Sequence, residues 1–207
     1  MAPQTLNYTG PASEADLESL AANLRDRNFE VVIVDTAAEA KTALIDRIPE
    51  GSQVHSGKSK TLEDTGVLGQ LMESDRYDFV RRRTLKLDRQ TQRDEIRKLS
   101  ATPDIMLGSV QAVTAAGQLV FASASGSQIG PIASGAGKLI LVIGSQKIVP
   151  DLDAAFRRIK EHVFPWEDAR LREQLGVGTK LTRTLIIEGD YTPGRTTIVL
   201  VRNPIGV

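Results

Sequence analysis

Leu17, Leu20, Ala21 and Leu24 recur at the spacing of one helical face, just after Ser13 and Asp16, which have capping-box form with aspartate in the usual glutamate place. A first helix is predicted over residues 11–26. The run FEVVIVD, 29–35, is apolar at successive positions rather than at alternate ones, which suits a parallel strand covered on both faces. Thr36 and Glu39 form a second capping box, Ala40, Leu44, Ile45 and Ile48 share a face, and Pro49 to Gly51 stop that helix. A short strand is predicted at 53–55, with a glycine turn and a further helix start behind it.

Residues 76–100 are polar and charged, and their helical pattern falls at 91–99. Strands are predicted at 104–107 and 118–122, the second entered through an Ala116-Gly117 turn. A Gly/Ser-rich bend at 123–127 leads through 128–133 to a second buried strand at 139–143. Pro150 suits the first turn of the next helix, whose apolar face is Leu152, Ala155, Phe156 and Ile159. Arg157, Arg158, Lys160 and His162 crowd the expected end of that helix, where positive charge is favoured. A short helix at 166–175 follows. Strands at 183–188 and 196–202 flank Tyr191-Thr-Pro-Gly194, the signature of an antiparallel hairpin. Together these elements predict one α/β domain over 1–207, a three-layer sandwich with a mostly parallel mixed sheet, and a flexible arm over 1–12.

Composition narrows the function classes. The 26 basic and 26 acidic side chains cancel, so no long-range field draws the chain to nucleic acid or an anionic membrane. The absence of cysteine removes disulfides, thiolate catalysis and cysteine-ligated metal centres, and two histidines cannot form a three-histidine site. No metal and no cofactor is therefore expected. The first residues lack a charged start with an apolar core, and no apolar stretch reaches membrane-spanning length, so a cytoplasmic location without membrane insertion is expected. Closed twofold assemblies being common, a homodimer is the default assembly.

Candidate chemistry concentrates at two turns. In His55-Ser56-Gly57-Lys58-Ser59-Lys60-Thr61, a strand passes through glycine to hydroxyl residues that open a helix. Converging main-chain N–H groups there suit a phosphate or carboxylate, with Ser59 and Thr61 as donors and Lys58 and Lys60 offsetting charge. Neither GxxxxGK[ST] nor GxGxxG is present, and plain helix capping by Ser59 is the competing reading. Gly126, Ser127 and Gln128 form a second turn that would face the first if their strands are neighbours. His55 is the candidate base, its ordinary pKa lying near neutrality, although no carboxylate partner follows from local spacing.

Taken together, the 108–165 segment that opens GSVQAVTAAGQLVFASASGSQIG, the block VHSGKSKTLEDTGV and the closing RTLIIEGDYTPGRTTIVLVRNPIGV resemble the LUD domain family, which includes lactate-utilization proteins B and C. The resemblance runs from about Ser13 onward and is closest to a small stand-alone bacterial branch. It implies a fold similar to sugar-phosphate isomerases of the ribose phosphate type, coenzyme A transferases and formyltetrahydrofolate cyclo-ligases, which hold anionic groups at strand C-termini. Carried onto this chain, those positions are Gly57, Ser59 and Thr61, then Gly126, Ser127 and Gln128. The resemblance also implies a small anionic metabolite as ligand, a role in oxidising lactate or a related 2-hydroxy acid, and an iron-sulfur protein as partner. Alanines at 115 and 116 stand where the family form has a polar or acidic residue, which argues against a transferase-type carboxylate nucleophile. A free-standing isomerase, hydrolase or acyl-transfer enzyme and a non-catalytic scaffold subunit remain the alternatives.

Overall fold

Both continuous apolar runs enter one parallel sheet, 139–143 at its centre and 29–35 at one edge. The computed structural model describes residues 7–88 and 90–207. In chain order the elements are α1 (Glu14–Arg25), β1 (Glu30–Val34), α2 (Ala37–Ile45), β2 (Gln53–Ser56), α3 (Lys60–Thr65), α4 (Val67–Glu73), β3 (Asp78–Phe79), α5 (Val80–Thr84), α6 (Arg93–Ala101), β4 (Ile105–Gly108), β5 (Ala112–Thr114) and β6 (Leu119–Ser123). A π turn at Pro131–Gly135 follows, then β7 (Lys138–Gly144), a 3-10 turn at Ser145–Lys147, β8 (Ile148–Val149), α7 (Leu152–Arg158), a second π turn at Ile159–Val163, α8 (Phe164–Leu175), β9 (Arg183–Ile187) and β10 (Thr196–Val201).

Six strands pair in the order β1-β10-β7-β4-β2-β3, every pair parallel. One face packs Val54, Leu107, Val142 and Val199 against Ala40 and Leu44 of α2, Leu62 of α3 and Leu71 of α4. The other packs Met106, Leu141, Ile198 and Leu200 against Leu20 and Leu24 of α1 and against Val113, Leu119 and Phe121 of a second sheet. That second sheet has the order β8-β5-β6-β9 and holds all the antiparallel pairing among the described residues. Its outer face is closed by Ala154 and Ala155 of α7. The α/β class and the mostly parallel pairing stand, but a second sheet occupies part of the layer where the sequence pattern led us to expect helices.

The predicted C-terminal hairpin does not form. β9 joins β6 antiparallel in the second sheet, whereas β10 lies parallel between β1 and β7 in the first. Burial explains the choice. Ile198 and Leu200 enter one core while Val199 and Val201 enter the other, and each such side chain contributes about 1.5–3 kcal/mol when buried. A central position satisfies both faces, and a hairpin at an edge could not. The Pro-Gly segment is therefore a crossover between sheets, with Gly194 at φ +84°.

A second correction concerns the helix after Pro150. Asp151, not Pro150, opens it, its side chain accepting from the Ala154 N–H at 2.8 Å. Arg157 and Arg158 do lie in the last turn of α7, whereas Lys160 and His162 fall beyond it in the π turn through which the backbone continues into α8. Pro165 has no N–H to give the preceding turn, and widening to π geometry accommodates that loss. The described part of the predicted arm docks: Asn7 Oδ1 accepts from the N–H groups of Thr9 and Gly10, and Tyr8 stacks on His162 with ring centroids 5.6 Å apart. Residues 1–6 of that arm lie outside the described residues.

Candidate functional site

Three adjacent parallel strands, β7, β4 and β2, end at one edge of the main sheet. The segments that follow them supply Lys147, then Ser109, Val110 and Gln111, then Lys58 to Thr61, to a cavity of about 280 Å³. The end of β6 in the second sheet supplies the opposite side through Ser123, Ser125, Ser127 and Gln128. The cavity thus lies at the seam of the two sheets, beyond the carboxyl ends of parallel strands, where open α/β sheets bind ligands. Its remaining wall is mostly apolar, with Ile159 and Val163 from the π turn, Phe164, Trp166 and Leu171 from α8, and Leu181, and it also carries Glu167, Thr179 and Lys180. Arg170, held by Glu167 at 2.6 Å, stands over the Trp166 ring at 5.4 Å and fixes that part of the wall.

The two turns singled out in the sequence meet here. A Cβ at Gly57 would lie 1.9 Å from Gln128 Cδ, so glycine is what lets the second turn's glutamine lie against the first turn. Gly57 and Gly126 shape the turns without lining the cavity, and Gly126 needs its freedom for φ +77°. The expected main-chain donors are partly engaged. Ser59 caps α3 by accepting from Leu62 N–H at 3.4 Å, Ser123 Oγ accepts from Gly126 N–H at 2.9 Å, and Ser125 Oγ accepts from Ser127 N–H at 3.3 Å. Of the two lysines, Lys60 pairs with Asp64, and Lys58 donates to Gln174 Oε1 at 3.0 Å.

His55 is placed differently. It shares a register position with Met106 on the face toward the second sheet, and it is not among the residues that line the cavity. Burial, with the charge of Arg81 adding to it, pushes its pKa down to about 4, so it is neutral at physiological pH, and its Nδ1 has no hydrogen-bond partner among the described residues.

The residue that sequence reasoning missed is Lys147. Its ammonium donates to Thr61 Oγ1 at 2.7 Å, Ser109 Oγ at 3.0 Å and the Val110 carbonyl at 3.2 Å. It is 3% exposed, and no carboxylate among the described residues lies within ion-pair reach. Desolvation, reinforced by the Arg158 charge and opposed by Asp64, pulls its pKa down to about 7. The turn that aims it is pinned from both sides: Ser145 donates to the Arg202 carbonyl, and the Gln146 side chain donates to Ile205 O and accepts from Ile205 N–H. The available signal was position, a lysine three residues beyond the end of the most apolar strand. The described residues of the charged 76–99 stretch do not line the cavity.

Among the described residues no cluster of histidine and carboxylate side chains could hold a metal ion, and no helix is long and apolar enough to cross a membrane. Comparison with known families matches residues 17–201 to the LUD domain. The crystal structure of a DUF162 family protein from Deinococcus radiodurans is similar to this chain, with a TM-score of 0.55 and 15% identity over 92% of this chain and 99% of that one. At that identity the likeness is one of fold. The comparison with curated proteins returned no match.

Proposed function

From membership of the LUD domain family, to which this chain belongs, and from the cavity at its sheet seam, we propose that the protein binds a small organic anion in support of lactate or related 2-hydroxy acid oxidation. The observation that carries this reading is Lys147, a buried cation with neutral partners and, among the described residues, no counter-ion, opening onto a cavity. A buried ammonium without a carboxylate is costly, and an anionic ligand is the partner that would relieve it. Lys58 and Lys180 in the same lining add positive charge, whereas Lys60 is paired with Asp64 and the lining carboxylate Glu167 with Arg170. Electron transfer belongs to an iron-sulfur partner in this scheme, since the chain has no cysteine to hold a cluster.

The apolar wall bears on which anion. At about 280 Å³ the cavity is near the lower end of ordinary small-molecule sites, roughly 300 Å³ and upward, yet roomy for a three-carbon acid. An acid with an apolar side chain would place its carboxylate at the lysines and its tail against Phe164 and Trp166. Each methylene so buried adds about 0.8 kcal/mol, roughly a fourfold gain in affinity. Calorimetric titration of the purified chain with lactate, α-hydroxybutyrate and α-hydroxyisocaproate tests the reading. Affinity should rise along that series and fall on Lys147→Met or Trp166→Ala substitution. Equal affinities in all three proteins, or no binding by any acid, would refute it.

A further inference from the structure

A buried lysine is ordinarily fixed as an ammonium by a carboxylate, whereas Lys147 faces two hydroxyls and one carbonyl. As an ammonium it donates to all three. As a neutral amine it still donates to Val110 O and to one hydroxyl, and it accepts from the other, because hydroxyls both donate and accept. Either protonation state therefore leaves every group partnered. The charges facing it are Arg158 from α7 and Asp64 from α3, and Asp64 is engaged by Lys60 and by the Gly206 N–H.

Building on the anion-binding reading above, we propose that Lys147 condenses with the carbonyl of an oxo acid held in the cavity, forming a reversible imine. The nitrogen lone pair attacks the carbonyl carbon, the C=O π pair moves to oxygen, and that oxygen takes a proton to give a carbinolamine. The nitrogen then expels the hydroxyl as water, leaving a C=N bond. Amine plus ketone gives imine plus water, with no change of oxidation state. Thr61 and Ser109, each within hydrogen-bond reach of Nζ, are placed to pass the proton to the departing oxygen. The carboxylate of the oxo acid falls to the rim lysines, of which Lys180 forms no ion pair among the described residues. The apolar wall at Phe164 and Trp166 limits water and so favours dehydration. Burial leaves about half the Lys147 side chains unprotonated near pH 7, the form that attacks.

The test is reductive trapping of the full chain with pyruvate or α-ketoisocaproate and cyanoborohydride, followed by peptide mapping, with calorimetry of the same acids run in parallel. The expected result is an adduct at Lys147 that forms about tenfold faster at pH 8 than at pH 6, after correction for the pH dependence of the hydride reagent itself. Lys147→Arg, which keeps the charge and cannot form the imine under these conditions, should reduce that peptide's label to background. Labelling spread over exposed lysines and unchanged in Lys147→Arg overturns the proposal. Calorimetric binding without any Lys147 adduct also overturns it while leaving the anion site standing, and loss of both binding and adduct removes the two together.

Discussion

Replacing Lys147 by methionine should stabilise the protein while impairing its ligand site. In the unfolded chain this lysine titrates near 10.5, and in the fold burial brings it to about 7. At pH 7 the unfolded state therefore binds almost one proton and the folded state about half of one, and the difference costs the fold about 4 kcal/mol as an upper bound. Methionine removes that cost and fills a similar volume. It also forfeits three hydrogen bonds, worth about 1 kcal/mol each, from acceptors of which two are hydroxyls able to re-aim. The balance is a gain of about 1–3 kcal/mol, and for a chain of this size that raises Tm by roughly 3–8 °C. The sign with pH is fixed by the lowered folded pKa: wild-type stability rises as pH climbs from 7 toward 10, and the deficit shrinks by about 2 kcal/mol between pH 7 and pH 9. Urea denaturation at these two pH values reads both effects, and the methionine variant should lack the rise due to this residue. A variant less stable than wild type at pH 7 would show that the ammonium holds the fold together, and the case for an unsatisfied charge awaiting a ligand would fail.

Other outcomes follow from the same geometry. His55, held near pKa 4 by burial, stays neutral in the fold while the unfolded chain takes a proton below about 6.5, so it withdraws up to about 3 kcal/mol of stability as pH falls from 6.5 to 4. Acid-side denaturation of His55→Met should be shallower by that amount, and parallel curves would contradict the burial argument. Gly57→Ala forces Gln128 aside, so ligand affinity should drop severalfold with little change in Tm, as calorimetry and thermal melts would show. Gly135→Ala differs, because its Cβ would lie 2.1 Å from the Ala101 carbonyl oxygen, a backbone atom that cannot swing away. A loss of about 2–3 kcal/mol in urea denaturation is expected.

What the sequence disclosed and what it withheld divide along physical lines. Capping residues and continuous apolar runs act locally, and α1, α2, β1 and β7 appear where Ser13, Thr36 and the runs at 29–35 and 139–143 place them. Partner choice is not local. Tyr191 to Gly194 has the turn chemistry of a hairpin, yet the two-sided burial of Ile198 to Val201 sends β10 into the parallel sheet and leaves β9 with β6. The charged stretch around 76–100 hid β3 and α5, because Arg82 and Arg83 are answered by Asp75 and Asp78 and their elements present little apolar pattern.

The candidate site follows the same rule one level up. Its turns were visible, since glycine and serine advertise tight backbone, but its charge was not, since GSQKIVP reads as an exposed connection. Only the docking of residues 202–206 on Ser145 and Gln146 turns Lys147 inward. That docking depends in turn on β10 lying beside β7, because Val201 pairs with Gly144 and delivers the following residues to the 3-10 turn. Had β10 paired with β9 as its turn chemistry predicts, the chain after Val201 would leave from the second sheet, and nothing would hold Lys147 at the cavity floor. The strand order that most departs from the sequence reading is thus the feature that builds the site, and a charge costly to the fold is kept where two sheets meet around an open volume.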